Sequence, residues 1–280
     1  MSPRPAALRR ARPQVDGVGT PVLEAGPPGA DEAVVFLHGN PGSGQEFARL
    51  VETTGNLRRA VAVDMPGFGE ADKPADFDHS VQGYARHLDA VLAERGIEHV
   101  HLVLHDFGGA WGLRWMADHH ERVRSVVLMN AGGMPDYRWH RLARMLRTPG
   151  IGELLMATTT RRGFAVLLRE GNPTPVPRQD LDRMYRHFDA GTRHAILRLY
   201  RATDLRAYEW IEPVLRARDL PALVVWGEAD PYVSLADAQR FLRVFPRARL
   251  VRVRDTGHWP HLTAPGPVDR TLQEWFASFS

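Results

Sequence analysis

The stretch HLVLHDFGGAWG, His101–Gly112, decides how this chain is read. A short apolar run, HLVLHD, meets two glycines and then a helical pattern, so it predicts strand, tight turn and helix. The turn puts Asp106 at its apex, in the place where hydrolytic enzymes usually carry a serine. Small neighbours are needed for so sharp a turn. Gly108 and Gly109 follow Asp106, whereas Leu104 and His105 precede it. Taken alone, DFGG is also what an Asp capping the next helix would look like.

Outward from this turn the same rhythm repeats. AVVFLHG, AVAVDMPG, SVVLMNAG, ALVVWGEAD and RLVRVRDTGH each read as a buried parallel strand. Helical segments are expected at about Gln45–Thr54, Val81–Arg95, Gly109–His119 and Leu235–Phe245. Repeated strand and helix predict a mostly parallel, doubly wound α/β sheet. Between Ala131 and Ala222 the rhythm stops in a long, Arg-rich, helix-patterned interval broken by GNPTPVP (Gly171–Pro177). That interval reads as an inserted helical cap. The expected division is a disordered basic tail over 1–14, a core over 15–132 and 219–280, and a cap over 133–218.

The 280 residues contain no cysteine, which excludes disulfides, thiolate nucleophiles and sulfur-ligated metals. Net charge is +3 and Lys73 is the single lysine among 36 basic residues, so the Arg excess is compositional. From Tyr137 to Arg218 there are 16 Arg against 8 acidic residues, read as a solvated surface rather than a steering field. No nucleic-acid signature or membrane-length apolar run accompanies it. The basic N-terminus lacks the apolar core of a signal peptide, so a cytoplasmic protein is expected, monomer or homodimer, with no cofactor and no metal.

Three further stretches bear on Asp106. FLHGNPGSG (Phe36–Gly44) puts a Gly/Pro turn after an early strand, where a backbone N–H can face a developing oxyanion. WGEADPYV presents Asp230 beyond a late strand, and DTGHWP presents His258 beyond the last. The chain order Asp106, Asp230, His258 is nucleophile, acid, histidine. With these motifs and DMPGFGEADKP (Asp64–Pro74), the chain resembles the α/β-hydrolase superfamily from about Val15 to its end. Its Asp at the elbow is similar to the branch holding epoxide hydrolases and haloalkane dehalogenases. The fold implied is the α/β-hydrolase fold, a mostly parallel doubly wound sheet with an inserted helical cap.

The resemblance implies a chemistry. A carboxylate can displace a leaving group from an sp³ carbon and form an ester, which water then hydrolyses. Asp106 is the expected nucleophile, His258 the general base and Asp230 the residue that orients it, with oxyanion N–H groups at Asn40 and Phe107. The substrate is expected to be small and hydrophobic, with water as co-substrate. Epoxide hydrolysis to a vicinal diol is favoured, because ILRLYRATD (Ile196–Asp204) resembles the cap segment carrying a proton-donating tyrosine and so nominates Tyr200. The usual second tyrosine is not evident; Tyr137 and Tyr185 are unaligned substitutes.

Haloalkane dehalogenation is the alternative. Asn40 fits that pattern, but Phe107 stands where a halide-binding Trp is usual and carries no N–H. Trp111, Trp139 and Trp259 are the available substitutes. A catalytically degenerate ligand-binding homologue, and a serine esterase using Ser43, are the readings from other classes. Asp136 is the rival to Asp230. His38 and His105 read as hydrogen-bonded scaffold, and Trp111 and Trp115, spaced i,i+4, as core. His119–His120 lie at a helix end without metal-ligand spacing.

Overall fold

Alternating short apolar runs and helices build one eight-stranded sheet in the computed structural model, which describes residues 6–134, 137–209 and 211–279. The strands are β1 (Arg9–Ala11), β2 (Gln14–Val15), β3 (Val18–Gly19), β4 (Val22–Ala25), β5 (Glu32–Leu37), β6 (Ala60–Val63), β7 (His99–Asp106), β8 (Val123–Ala131), β9 (Ala222–Gly227) and β10 (Arg249–Val253). Their order is β1-β4-β6-β5-β7-β8-β9-β10, with β2 and β3 forming a separate ribbon. From β6 to β10 every neighbouring pair is parallel; β1 and β4 add antiparallel strands at one edge.

The strand at Arg9–Ala11 corrects one expectation. The segment 1–14 was read as a disordered tail, yet Arg9–Ala11 pairs with Val22–Glu24, and Arg12 bonds the Asp72 carboxylate and the Glu70 carbonyl. A basic, proline-flanked run carries no periodic signal, and these partners come from a loop some 60 residues away in the chain. The pairing is therefore tertiary in origin.

Successive residues of a strand face opposite sides, and both faces here are covered. Val34 and Phe36 of β5 pack with α1 (Ala48–Thr54) and the C-terminal helix, while Val35 and Leu37 pack with α2 (Val81–Glu94) and α3 (Phe107–Asp118). This two-sided burial explains why the strands read as unbroken apolar runs. The expected Trp pair packs as core, Trp111 and Trp115 both lying buried on α3. Among the described residues, six α-helices run between β8 and β9: α4 (Arg141–Arg147), α5 (Ile151–Thr158), α6 (Arg161–Glu170), α7 (Arg178–His187), α8 (Ala190–Ala202) and α9 (Ile211–Arg216). The chain returns through α10 (Leu235–Val244), then α11 (Pro260–Thr263) and α12 (Pro265–Ala277) beyond β10. No helix among the described residues is long and apolar enough to cross a membrane.

Because β5 lies between β6 and β7, the chain winds to one side of β5 and then to the other. The crevice beyond the C-terminal ends of β5 and β7 is where such sheets bind ligands. Asn40 follows β5 and Asp106 ends β7, so both stand at that crevice. Close approach of the two strand ends requires glycine. A Cβ at Gly108 would collide with the Leu37 carbonyl oxygen and sit 2.7 Å from that of His38. Gly108→Ala is therefore expected to lower stability by about 1–3 kcal/mol in urea unfolding; a change below about 0.5 kcal/mol would contradict this packing.

Candidate active site

Asp106 has φ +50° and ψ −120°, a conformation that costs energy for a residue with a side chain. The surroundings impose it. Gly132 N–H donates to the Asp106 carbonyl at 2.9 Å, and a Cβ at Gly39 would collide with the Asp106 side chain. The carboxylate stands at the N-terminus of α3, where the helix dipole favours negative charge. One of its oxygens, Oδ1, accepts the Asn40 backbone N–H at 2.7 Å, and Oδ2 lies 3.2 Å from His258 Nε2. Burial alone would raise the Asp106 pKa. His258, His105 and the Asn40 N–H outweigh it and hold the carboxyl below its usual range.

The imidazole of His258 is buried between two carboxylates. Its Nδ1 lies 2.7 Å from Asp230 Oδ2. Burial pushes its pKa down, but Asp230 and Asp106 push harder, and the result is up at about 10. The resting ring is thus an imidazolium at neutral pH. Asp230 is itself anchored: the Tyr232 and Val233 N–H groups donate to Oδ1 at 2.7 and 3.1 Å, and Asn130 Nδ2 donates to Oδ2 at 2.7 Å. The Asn130 amide oxygen in turn accepts the Gly227 N–H at 2.9 Å. Asp136, the rival, lies outside the described residues.

Two chambers meet over Asp106, and both are walled by Asp106, His140, Tyr200 and Tyr232. The first runs under the helical insertion between Leu155, Met156, Phe164, Leu168, Phe188 and Ile196. The second is bounded by Phe107, Trp139, Leu205, Tyr208 and Val233. Tyr200, on α8, is buried with its ring edge-on to Phe107 at 5.1 Å. Arg147 bonds the carbonyls of Tyr200 and Thr203 and so fixes the end of that helix. The Asn40 side chain is a polar neighbour of the Tyr200 hydroxyl, and Asn40 Oδ1 is buried without a hydrogen-bond partner. Burial, with the charge of Asp106, holds the Tyr200 pKa well above 10.

Other sequence candidates separate. The Tyr137 hydroxyl is engaged by the Tyr232 carbonyl at 3.0 Å, and Tyr185 packs against Phe164 away from both chambers. Trp111 stacks on Tyr84 beneath the site, Trp139 stacks near Phe107, and Trp259 lines the first chamber with its buried indole N–H unpartnered. Ser43 is buried on the loop after β5 and lines neither chamber. His38 is scaffold: its Nε2 accepts the Met65 N–H at 3.0 Å, leaving Nδ1–H for the Gly39 carbonyl.

Sequence reasoning missed Asn130 and Asn172. Asn172 Oδ1 accepts the Trp259 N–H at 3.1 Å, and the neighbouring Gly171 carbonyl accepts the His258 N–H at 2.9 Å. The break in GNPTPVP is thus where the insertion grips the histidine loop. The visible signal for Asn130 was its place at the end of a strand in VVLMNAG, beside the Asp230 strand.

Comparison with known proteins agrees with this geometry. Residues 32–265 match the model of the alpha/beta hydrolase fold family. The chain is 34% identical over 269 residues to the cis-3-alkyl-4-alkyloxetan-2-one decarboxylase of Xanthomonas campestris, covering 87% of each. It is 26% identical to a haloalkane dehalogenase of Mesorhizobium japonicum, covering 98% of this chain and 93% of that one. In fold it resembles the DbeA-M1 loop variant of a haloalkane dehalogenase from Bradyrhizobium elkanii, with a TM-score of 0.86, 23% identity and 97% of each chain covered. A family model spanning most of the chain, over a sheet and crevice of this kind, makes the protein a member of the α/β hydrolase fold family.

Proposed function

We propose that the protein is a hydrolase acting through an ester on Asp106, and that it opens epoxides to vicinal diols. The observation that carries the leaving-group assignment is the Tyr200 hydroxyl. It is buried, kept protonated, and part of the wall that both chambers share with Asp106. An oxygen leaving group needs a proton as its C–O bond breaks, and a hydroxyl so placed supplies it. The name of the Xanthomonas relative also describes a small oxygen ring, one with two alkyl arms. Apolar chambers on both sides of Asp106 suit a substrate with apolar groups flanking the reacting carbon.

The proposed sequence balances its protons. Asp106 Oδ2 attacks a ring carbon, the C–O bond breaks, and Tyr200 protonates the oxygen. The new ester carries no charge, so His258 loses one of the two carboxylates that raise its pKa and passes its proton to the Tyr200 phenolate. Neutral His258 then takes a proton from water, whose oxygen attacks Cγ while Oδ1 gathers charge against the Asn40 N–H. Collapse releases the diol, which carries the original Oδ2, and restores the carboxylate and imidazolium. Phe107 N–H is the second oxyanion donor in this reading.

Haloalkane dehalogenation is the second reading, favoured by Asn40 beside Asp106 and by the dehalogenase relatives. The Asn40 amide and the unused Trp259 indole N–H would then hold the halide. A panel of disubstituted epoxides, cis-dialkyl β-lactones and bromoalkanes decides, scored for diol, for alkene with carbon dioxide, and for bromide. Diol formation is expected. Tyr200→Phe should slow ester formation from an epoxide by about 10²–10⁴-fold and affect a bromoalkane far less. Equal, small losses on both would return Tyr200 to packing.

A single turnover in ¹⁸O-water with enzyme in excess should leave ¹⁸O in the Asp106 side chain and mostly unlabelled new oxygen in the product. Labelled product with unlabelled Asp106 would mean direct attack by water. The charge state of His258 is testable through stability. Its pKa is raised from 6.5 to about 10 on folding, so its contribution is fully present below pH 6.5 and is lost as pH rises through about 10. Urea unfolding of wild type and His258→Gln at fixed pH should show their stability difference shrinking across that window; a pH-independent difference would refute the buried imidazolium.

A further inference from the structure

Behind the Asp106–His258 pair lies a second buried cluster that the proposed chemistry does not use. Glu46, from the 3-10 turn Gly44–Phe47, and His261, from α11, have fully buried side chains. His105, the neighbour of Asp106 on β7, completes it. One ligand atom from each of the three falls within 4.8 Å of the others, and His261 Nε2 lies 3.7 Å from Glu46 Oε2. Five polar atoms have no hydrogen-bond partner: both Glu46 oxygens, both His261 ring nitrogens and His105 Nδ1.

The tautomer of His105 can be deduced. Its Nε2 lies 2.8 Å from the His258 carbonyl oxygen, which only accepts, so Nε2 carries the proton. Burial pulls the His105 pKa down to about 4, so the ring is neutral and Nδ1 is a bare lone pair facing the cluster. A neutral His261 adds one acceptor and one donor. Burial pushes the Glu46 pKa well above the usual carboxylate range, so the cluster offers two donors, the Glu46 O–H and one His261 N–H, to three acceptor atoms, and none of them is hydrogen-bonded. Such groups are not left unpaired in a protein interior, because each forfeits its hydration.

We propose that Glu46, His105 and His261 bind a divalent transition-metal ion of the Zn²⁺ type. Two imidazole nitrogens and one carboxylate oxygen suit zinc and its first-row neighbours, whereas Mg²⁺ and Ca²⁺ prefer all-oxygen sets. The three ligand atoms lie within 4.8 Å of one another, wider than around a bound ion, where ligand bonds are about 2.0–2.2 Å, so binding must draw the side chains together. His105 already has the outer bond typical of a ligating histidine, its second ring N–H resting on a backbone carbonyl. Phe47 stacks on His261 at 5.0 Å and limits its rotation. The Arg183 guanidinium acts on both Glu46 and His261 and competes with a cation, but it is paired with Asp180 at 2.6 Å. Glu46 lies six residues after Asn40, His105 one before Asp106 and His261 three after His258. A bound ion therefore ties together the three segments that carry those residues.

Full-length protein, free of any His tag and dialysed against EDTA, is titrated with Zn²⁺ by calorimetry and mass-spectrometric metal analysis. One ion per chain is expected, with a rise of several degrees in Tm at saturating zinc. Glu46→Gln and His261→Gln should each weaken binding by about 100-fold or more, while His194→Gln, at an exposed position, should retain it. If the cluster variants fail to fold, Co²⁺ titration of the wild type replaces them, and absorption bands of a tetrahedral N/O site are the expected result. Absence of binding at tens of micromolar zinc, or unchanged binding in both folded cluster variants, would overturn the proposal.

Discussion

Two carboxylates and one imidazole ring are buried together at the C-terminal edge of the sheet, and the rest of the site is organised around keeping that charge chain intact. Burial alone would push the Asp106 carboxyl towards its neutral form. His258 supplies the shared counter-charge, at 3.2 Å from Asp106 and 2.7 Å from Asp230. Backbone N–H groups from Asn40, Tyr232 and Val233 and the Asn130 amide provide the remaining donors. They come from the segments that follow β5 and β9 and from the end of β8. The sheet must therefore hold several strand termini in fixed register before the chain of charges can exist.

That register follows from winding order. With β6 on one side of β5 and β7 on the other, connections diverge and leave a crevice into which Asn40 and Asp106 both project. The strained backbone of Asp106 is sustained by glycine contacts at Gly39 and Gly108 that admit no side chain. Strain at this residue is offset by burial elsewhere in the sheet and its covering helices. The insertion between β8 and β9 adds the apolar walls and Tyr200, and it is locked to the histidine loop through Gly171 and Asn172. Substrate shape and leaving-group chemistry are thus carried by one part of the chain, and bond-forming groups by another.

Much of this was legible in the linear sequence, for a definable reason. Parallel strands covered on both faces must be apolar throughout, so β5, β7 and β9 announce themselves as runs. A turn as tight as the one at Asp106 needs Gly108 and Gly109, so it too leaves a local mark. Asp230 and His258 stand in short loops just past strands, and their order along the chain suffices to nominate them. Tyr200, on α8, was readable only through the resemblance of ILRLYRATD to a cap segment.

What the sequence determined by itself was therefore everything with a local cause: the strands, the elbow turn, the order of the triad candidates and the presence of a helical insertion. Tertiary structure alone decided the features that depend on residues distant in the chain. It drew Arg9–Ala11 into the sheet, seated Asn130 on Asp230, and gathered Glu46, His105 and His261 into one buried cluster. It also decided the protonation of His258. An imidazole by itself titrates near neutrality, and only the placement of two carboxylates against it, 28 and 152 residues away in the chain, moves its pKa to about 10. Charge interactions depend on distance in space, which periodicity and spacing along a chain do not encode.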